Sequence, residues 1–234
     1  MAFGSLRVQG LGFSRSLSGR FGDGIHKTGG RELTEENTMP PGQVWGKKFV
    51  IYATLGIPKV DVQAWRLKVD GLVSRQLEYG YDQLVSSPQT TYVKSFHCVT
   101  RWSIKDAVWE GVPIRGLVEP ADARPEAKWV MFHCADGYMA PVPLEDALRE
   151  DALLAFKING KPLSAEQGFP VRPFMPHLYG WKSAKWLNRI ELIPAYRDGY
   201  WEEYGYHERA NIWDEERFKE NRGKAVKRTA YGTA

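Results

Sequence analysis

The run Ser95-Phe96-His97-Cys98-Val99-Thr100-Arg101-Trp102-Ser103 is the most informative stretch of this chain. It ends a predicted strand over 91–97 and places a cation three positions after a thiol. A thiol beside a positive charge ionises more easily, and the thiolate is the form that attacks substrates or binds metals. The chain has only 2 cysteines, so Cys98 does not belong to a disulfide framework. From this run alone, a buried structural cysteine is the more frequent alternative.

Composition limits the classes of protein to consider. The 234 residues, 43% hydrophobic and 26% charged, suit one large globular domain with appendages. A net charge of +4 without a basic block argues against nucleic acid as a partner. No apolar run reaches the ~20 residues of a transmembrane helix. Residues 1–30 lack an apolar core and a twin-arginine pair, so we expect a cytoplasmic protein. A Cys98–Cys134 disulfide stays open, since both residues lie at predicted strand ends.

The pattern of elements predicts an α+β fold, a single mixed-sheet domain. Short strands dominate, helices are brief, and strands and helices do not alternate regularly, which argues against a doubly wound sheet. We predict an arm over 1–40, a domain over 41–218 and a tail over 219–234. The predicted strands are 47–52, 65–69, 91–97, 128–133, 184–193 and a hairpin of 153–158 with 161–163, and the predicted short helices are 81–86, 143–150 and 214–219. Glycine-rich nucleotide motifs and the HExxH zinc motif are absent.

Further segments carry candidate chemistry. Tyr138 lies at the rim between a predicted strand and a short helix. Gly168-Phe169-Pro170-Val171-Arg172-Pro173-Phe174-Met175-Pro176 holds one arginine in a loop that its prolines rigidify. Gly180-Trp181-Lys182-Ser183-Ala184-Lys185-Trp186-Leu187 combines cations and backbone amides after a glycine, as a phosphate-binding loop does. Taken alone, that last signal is weak, because surface lysines usually bind nothing specific.

In this order and spacing, these segments resemble the oxidoreductase molybdopterin-binding domain of the sulfite oxidase superfamily. The run Cys98-Val99-Thr100-Arg101-Trp102-Ser103 is similar to the small bacterial and archaeal branch, which includes the catalytic subunit of protein-methionine-sulfoxide reductases. Gly111-Val112-Pro113-Ile114 and Glu203-Tyr204-Gly205-Tyr206 resemble later steps of the same proteins. The resemblance runs from about residue 41 to about residue 218.

The resemblance implies a role for each candidate residue. Cys98 would be the protein thiolate ligand of molybdenum, with Arg101 helping to hold the thiolate. Tyr138 aligns with a tyrosine beside the reactive oxygen and would donate a hydrogen bond to the substrate or to that oxygen. The pterin and its phosphate would be held by residues of the two later loops, namely Arg172, His177, Gly180, Lys182, Ser183 and Lys185. His97 and His133 are expected to be structural.

The implied function is two-electron oxygen-atom transfer with a molybdopterin cofactor and a small-molecule oxo donor or acceptor. Because the chain has no haem, flavin or iron–sulfur motif, electrons would pass to or from a redox partner protein such as a cytochrome. Sulfite oxidases carry an arginine where Ser103 stands and a cationic step near residues 52–54, so sulfite is expected to be a poor substrate. The alternatives are a cofactor-free binding or structural domain, and a hydrolase with Cys98 as nucleophile and His97 or His133 as base.

Overall fold

A computed structural model describes residues 39–219 of the chain. The predicted arm and tail therefore lie almost entirely outside the described residues. The strands, in chain order, are β1 (Val44–Trp45), β2 (Arg66–Gly71), β3 (Leu77–Gly80), β4 (Thr90–His97), β5 (Trp102–Pro113), β6 (Trp129–Cys134), β7 (Met139–Pro143), β8 (Leu153–Ile158), β9 (Lys161–Pro162), β10 (Arg172–Phe174) and β11 (Leu187–Ile193). The helices are α1 (Tyr81–Ser86), α2 (Ile114–Val118), α3 (Leu144–Ala147) and α4 (Tyr200–Glu203), with 3-10 turns at Glu119–Ala121 and Gly180–Lys182.

The first sheet is built on the long strand β5. Strands β4 and β5 form an antiparallel hairpin, β1 pairs with β5 in parallel, and β8 pairs with β5 antiparallel. The path continues from β8 to β10, while β9 closes a hairpin on β8. Cys98 thus lies in the turn of the β4–β5 hairpin, and Arg172 begins β10 in the same sheet.

The second sheet has the order β3-β2-β11-β6-β7. Its central strand β11 runs parallel to β2 and antiparallel to β6, so the sheet is mixed. The main apolar core packs on this sheet and includes Leu67, Phe132 and Ile190, each with no exposed surface. The architecture confirms the predicted α+β fold with mixed sheets.

A separate aromatic core supports the Cys98 turn. Phe96, Trp109 and Phe174 are buried together, and the rings of Trp109 and Phe174 stack with centroids 3.8 Å apart. Half-buried Cys98 packs against this cluster. Because aromatic side chains bury large areas in fixed geometry, the end of β4 next to the thiol packs on a well-defined aromatic cluster.

Several element predictions are confirmed. Helix α1 spans the predicted residues, and β2, β4, β6 and β8 match their predicted strands within a few positions. The predicted hairpin turns at Asn159 and Gly160, whose φ angles of 52° and 72° suit a primed turn. None of the helices between residues 39 and 219 is long and apolar enough to cross a membrane.

Two element predictions are wrong, and several strands were not predicted, of which β5 is the longest. Residues 47–52 form no strand; the short strand of this region is β1, and Val50, Ile51 and Tyr52 stay exposed. Residues 214–219 are turns and an isolated bridge between Tyr206 and Phe218 rather than a helix. Strand β5 escaped prediction because Lys105 and Asp106 interrupt its pattern, and the β4–β5 register shifts near this point.

Candidate functional site

The candidate site is centred on the tight turn that presents Cys98. The N–H of Cys98 donates to the Trp102 carbonyl at 2.9 Å, and the N–H of Arg101 donates to the Cys98 carbonyl at 3.0 Å. Arg101 adopts a φ of 77°, a left-handed conformation that closes the turn. The Sγ of Cys98 lies 3.2 Å from Oγ1 of Thr100. The turn therefore holds a half-buried thiol at the end of a rigid hairpin.

The pKa of the Cys98 thiol reflects opposing effects. Burial raises it above its ordinary value, while the Thr100 hydroxyl and the Arg217 guanidinium lower it. Arg217 is thus the cation whose charge acts on this sulfur, whereas Arg101, the predicted neighbour, points toward the Gly42 carbonyl at 3.5 Å. Sequence reasoning missed Arg217, because nothing in its local motif connects it with a turn more than a hundred residues earlier.

The two histidines considered as bases for a Cys98 nucleophile both have other partners. Nδ1 of His97 lies 2.8 Å from the Ser103 hydroxyl, and burial lowers the pKa of His97 to about 4. Nε2 of His133 lies 2.8 Å from Oε2 of Glu191, and both residues belong to the second sheet, not to the sheet that carries Cys98. The thiol itself has a raised pKa rather than the lowered one of an activated nucleophile. The site does not support the hydrolase alternative.

Cys134 differs from Cys98 in its surroundings. Both cysteines are free, so no disulfide joins them. Cys134 ends β6 and is 6% exposed within the main apolar core, and burial raises its pKa well above the ordinary value. It behaves as a small core side chain.

Arg172 is a buried guanidinium that binds to neutral groups. Its Nε donates to the Ser183 hydroxyl at 3.0 Å, its Nη2 to the Ser183 carbonyl at 2.8 Å, and its Nη1 to the Gln167 carbonyl at 3.0 Å. It lies 5.7 Å from the centroid of the Phe96 ring, two residues before Cys98. Burial lowers its pKa to about 10. These hydrogen bonds use three of its five N–H groups.

Lys185 adds a second cation near Arg172. Its Nζ donates to the Tyr52 carbonyl at 2.6 Å and to the Glu166 carbonyl at 3.1 Å, and lies 4.4 Å from the Trp186 ring centroid. Burial first, and the charge of Arg172 second, lower its pKa to about 8. A bound anion would stabilise the charged form of Lys185 against both effects.

The lowered pKa of Lys185 predicts that binding of a phosphorylated ligand weakens at alkaline pH. Below pH 8 the ammonium is charged, and above pH 8 it loses its proton and the attraction for a phosphate dianion falls. We expect affinity of the apoprotein for the cofactor to drop about tenfold between pH 7 and pH 9.5, the effect of one charged hydrogen bond. The Lys185→Met variant should show a flat pH profile; the same slope in both proteins would contradict this assignment.

Lys182 lies deep in the interior rather than at a phosphate loop surface. Its side chain has no exposed surface, and its Nζ donates to Glu202 at 2.6 Å, to the Pro141 carbonyl at 2.7 Å and to the Glu208 carbonyl. These acceptors use the three hydrogens of the ammonium. Its predicted contact with the cofactor stays a prediction, and the geometry favours a structural role.

The contacts around Gly180 and Ser183 explain why a glycine and a serine stand at these positions. A Cβ added at Gly180 would collide with the ring of Phe96, so the glycine lets the 3-10 turn approach the strand that carries Cys98. The Ser183 hydroxyl accepts from Arg172 and donates to the Pro173 carbonyl. Both residues therefore shape the loop around Arg172.

His177 is held by a buried carboxylate. Its Nε2 lies 3.0 Å from Oδ1 of Asp146, and Oδ2 of that carboxylate accepts from Nε of Arg209 at 2.9 Å. These contacts lower the pKa of Asp146. His177 is 8% exposed, and its Nδ1 has no hydrogen-bond partner among the described residues. A buried ring nitrogen of this kind is suited to a polar ligand.

Tyr138 is a buried residue that immediately precedes β7. Its hydroxyl donates to the Trp181 carbonyl at 2.8 Å, and its ring lies 5.8 Å from that of Tyr200. Burial is the main reason that its pKa is well above the ordinary value. The phenol is therefore a neutral donor, and its predicted contact with the substrate stays a prediction.

A surface cavity of about 790 Å³ lies apart from the thiol. Trp129, Leu144 and Leu148 form part of its apolar lining, and His207 and Arg209 are among its polar residues. Cys98, Arg172 and Lys185 do not line it. The candidate site is thus identified by its chemistry rather than by the size of this cavity.

Together the fold and the site define a class of protein: a two-sheet α+β domain that presents one thiol on a hairpin turn and carries cations suited to an anionic cofactor. The model of the family described as "Oxidoreductase molybdopterin binding domain" matches residues 54–201. The chain belongs to this family. It is a molybdopterin-binding oxidoreductase of the sulfite oxidase type, and its cofactor is molybdopterin with molybdenum.

Named relatives agree with this family. The chain is 38% identical to "Uncharacterized oxidoreductase YuiH" of Bacillus subtilis over 80% of this chain and 96% of the relative. It is 34% identical to "Putative protein-methionine-sulfoxide reductase subunit YedZ1" of Azospira oryzae, over 64% of this chain and 57% of that protein. The sulfane dehydrogenase SoxCD from Paracoccus pantotrophus aligns with a TM-score of 0.56 at 24% identity, over 68% of this chain and 46% of that one. This last likeness supports the fold alone.

Proposed function

We propose that this protein catalyses two-electron oxygen-atom transfer between a small substrate and a molybdopterin cofactor held beside Cys98. The observation that carries the proposal is the pair Arg172 and Lys185, a buried and a half-buried cation whose hydrogen bonds go to uncharged carbonyl and hydroxyl groups. When bound, molybdenum supplies the oxygen-transfer chemistry and the pterin dithiolene supplies two of its sulfur ligands. The protein binds, orients and encloses this group.

The residues present fit such a group. Arg172 and Lys185 have N–H groups that remain for a phosphate, and His177 has a buried Nδ1 without a partner. Cys98 offers the soft sulfur that molybdenum requires from the protein. Phe96 connects these parts, since it touches the Arg172 guanidinium and the Gly180 turn and lies two residues before the thiol. We propose that Cys98 is the metal ligand and that Arg172, Lys185 and His177 hold the pterin.

Each side chain of the site then has a defined task. The Cys98 turn presents sulfur in one direction, because its backbone hydrogen bonds leave it little freedom. The aromatic cluster that contains Phe96 and Trp109 covers one side of the thiol and excludes water there. Tyr138 fixes the Trp181 carbonyl and thereby the loop that follows Gly180. We retain Tyr138 and Arg101 as proposed neighbours of the substrate.

Cofactor content tests the proposed function directly. We expect about one molybdenum and one pterin per chain in protein made by a host that synthesises the cofactor, since the family binds one cofactor per domain. Elemental analysis and the fluorescence of the oxidised pterin measure the two quantities. Correctly folded protein from such a host that carries neither would overturn the proposal and favour the cofactor-free scaffold.

Sulfite is expected to be a poor substrate, and a neutral sulfoxide a better one. Ser103 is fully buried and bonds to His97 and Gln43, and Thr54 bonds to Tyr200, so neither position offers a cation. The absence of one charged hydrogen bond costs a dianion about 1.5–3 kcal/mol, or one to two orders of magnitude in affinity. Steady-state assays of both substrates on one preparation decide this, and efficient sulfite oxidation at micromolar concentration would contradict it.

Electrons must be exchanged with a separate protein in this proposal. The relative from Azospira oryzae is described as a subunit, which supports a redox partner here as well. We propose a cytochrome or a similar one-electron carrier, and a cytoplasmic location as the sequence predicts. Copurification with a tagged chain, and fractionation of the host, would test the two statements separately.

A further inference from the structure

Segments outside the matched family region contact the Cys98 turn. The family match begins at residue 54, yet Gln43 donates from Nε2 to the Cys98 carbonyl at 3.1 Å. The N–H of Val44 donates to the Arg101 carbonyl at 2.8 Å. Gln43 is 6% exposed and is itself fixed by the Ser103 hydroxyl, which donates to its Oε1 at 3.0 Å. The segment before the family region therefore fastens both ends of the turn.

The segment after the family region reaches the same turn through Arg217. This guanidinium is 6% exposed, and its Nη1 donates to the Val99 carbonyl at 2.6 Å. Its Nη2 donates to the Pro41 carbonyl at 3.1 Å, and its Cζ lies 4.7 Å from the centroid of the Tyr179 ring. Arg217 thus joins the two flanking segments to each other and to the residue that follows the thiol.

The close packing at Gly42 shows how tightly this contact is built. A Cβ added there would lie 2.6 Å from Oε1 of Glu215, 2.9 Å from Nη1 of Arg101 and 3.2 Å from Nη2 of Arg217. Gly42 also has a φ of 65°, which disfavours a larger residue. Two guanidinium groups therefore meet one carboxylate, and the cluster keeps a net positive charge beside the turn.

The charge of Arg217 is only partly balanced. Glu215 lies 3.5 Å from its Nε, and this buried Nε has no hydrogen bond within the described residues. Its Nη1 and Nη2 donate to uncharged carbonyls. A purely structural contact would not require a buried cation with so little opposite charge around it, because desolvation of a charge is costly. Such a cation is suited to an environment that becomes more negative when a thiolate and its ligand are present.

We propose that Arg217, supported by Gln43, is a positioning residue that holds the Cys98 turn and supplies positive charge beside the metal ligand. This inference rests on the proposed function. Two effects follow from the contacts. The hydrogen bond to Val99 fixes the direction of the thiol, and the positive charge favours the less positive, reduced states of a metal bound there.

Charge and geometry can be separated by substitution at Arg217. Arg217→Gln removes the charge and keeps a donor, while Arg217→Lys keeps the charge. We expect the midpoint potential of the molybdenum in Arg217→Gln to shift negative and its turnover to fall about 10- to 100-fold, as loss of an outer ligand contact does. Arg217→Lys should retain a potential near that of the parent protein. Arg197→Gln is the matched control, since Arg197 is exposed and pairs with Glu191 away from the turn.

A redox titration with elemental analysis of each preparation gives the result. Equal potentials in Arg217→Gln, the control and the parent protein, all loaded with metal, would overturn the inference while leaving the proposed function intact. A parent protein without molybdenum would instead overturn the proposed function. If Arg217→Gln fails to fold, Gln43→Met provides the second variant: it loses the bond to the Cys98 carbonyl without a change of charge. Gln43→Met should alter the electron paramagnetic resonance spectrum of the metal and leave its midpoint potential near that of the parent protein. An unchanged spectrum would count against the inference.

Discussion

Replacement of Cys98 by serine is expected to abolish turnover while much of the pterin stays bound. The thiol is the single soft ligand on the β4–β5 turn, and a serine oxygen is a harder ligand that does not supply the sulfur donation of a thiolate. The cations proposed to hold the pterin lie on β10 and before β11, on other segments than the turn. Turnover should therefore fall to background, and pterin content should fall much less. Steady-state rates and pterin fluorescence on the same preparation measure both.

Cys134→Ser is the matched control for this variant. Cys134 is 6% exposed in the main apolar core, so a hydroxyl there costs about 1–3 kcal/mol of folding stability when it finds no partner. Activity per folded molecule should stay close to that of the parent protein. Loss of activity in Cys134→Ser with full activity in Cys98→Ser would show that the wrong cysteine had been chosen.

The parts of the fold that sequence predicts well are those encoded locally. The hairpin of β8 and β9 depends on Asn159 and Gly160, whose tolerance of positive φ is a property of the residues themselves. Residues 47–52 and 214–219 depend on distant partners instead. Lys185 binds the Tyr52 carbonyl, and Arg217 reaches Pro41 and Val99. Such contacts leave no periodic signal in the segment that makes them.

The same distinction applies to the candidate site. Cys98 and Arg172 can be proposed as site residues from the sequence, because each stands in a recognisable local motif. Arg217 stands 118 positions after its contact at Val99, among 32 lysines and arginines of the chain. Burial was not predictable either, since Lys182 and Lys185 are three positions apart in one loop. Only the folded chain shows that the first is enclosed by Glu202 and that the second lies beside Arg172.

Substitutions of Lys182 and of Arg172 are therefore expected to have different effects, the first on folding stability and the second on cofactor occupancy. The ammonium of Lys182 and the carboxylate of Glu202 are both fully buried, 2.6 Å apart, and Trp181 also donates to that carboxylate at 2.8 Å. Removing one partner of a buried pair leaves the other charge uncompensated and costs about 3–5 kcal/mol. Lys182→Met should thus lower the free energy of unfolding severely, whether or not the cofactor is present.

Arg172→Gln should instead lower cofactor occupancy far more than stability. Glutamine can still donate to a carbonyl of the loop, but it cannot offer a charged fork to a phosphate, and each lost charged hydrogen bond costs about 1.5–3 kcal/mol of binding. Denaturant titration of the apoproteins and pterin content of the loaded proteins separate the two effects. A double variant, Lys182→Met with Glu202→Leu, should recover part of the stability lost by Lys182→Met, because no buried charge then stays unpaired. Equal occupancy in Arg172→Gln and the parent protein would show that Arg172 supports the loop and does not bind the cofactor.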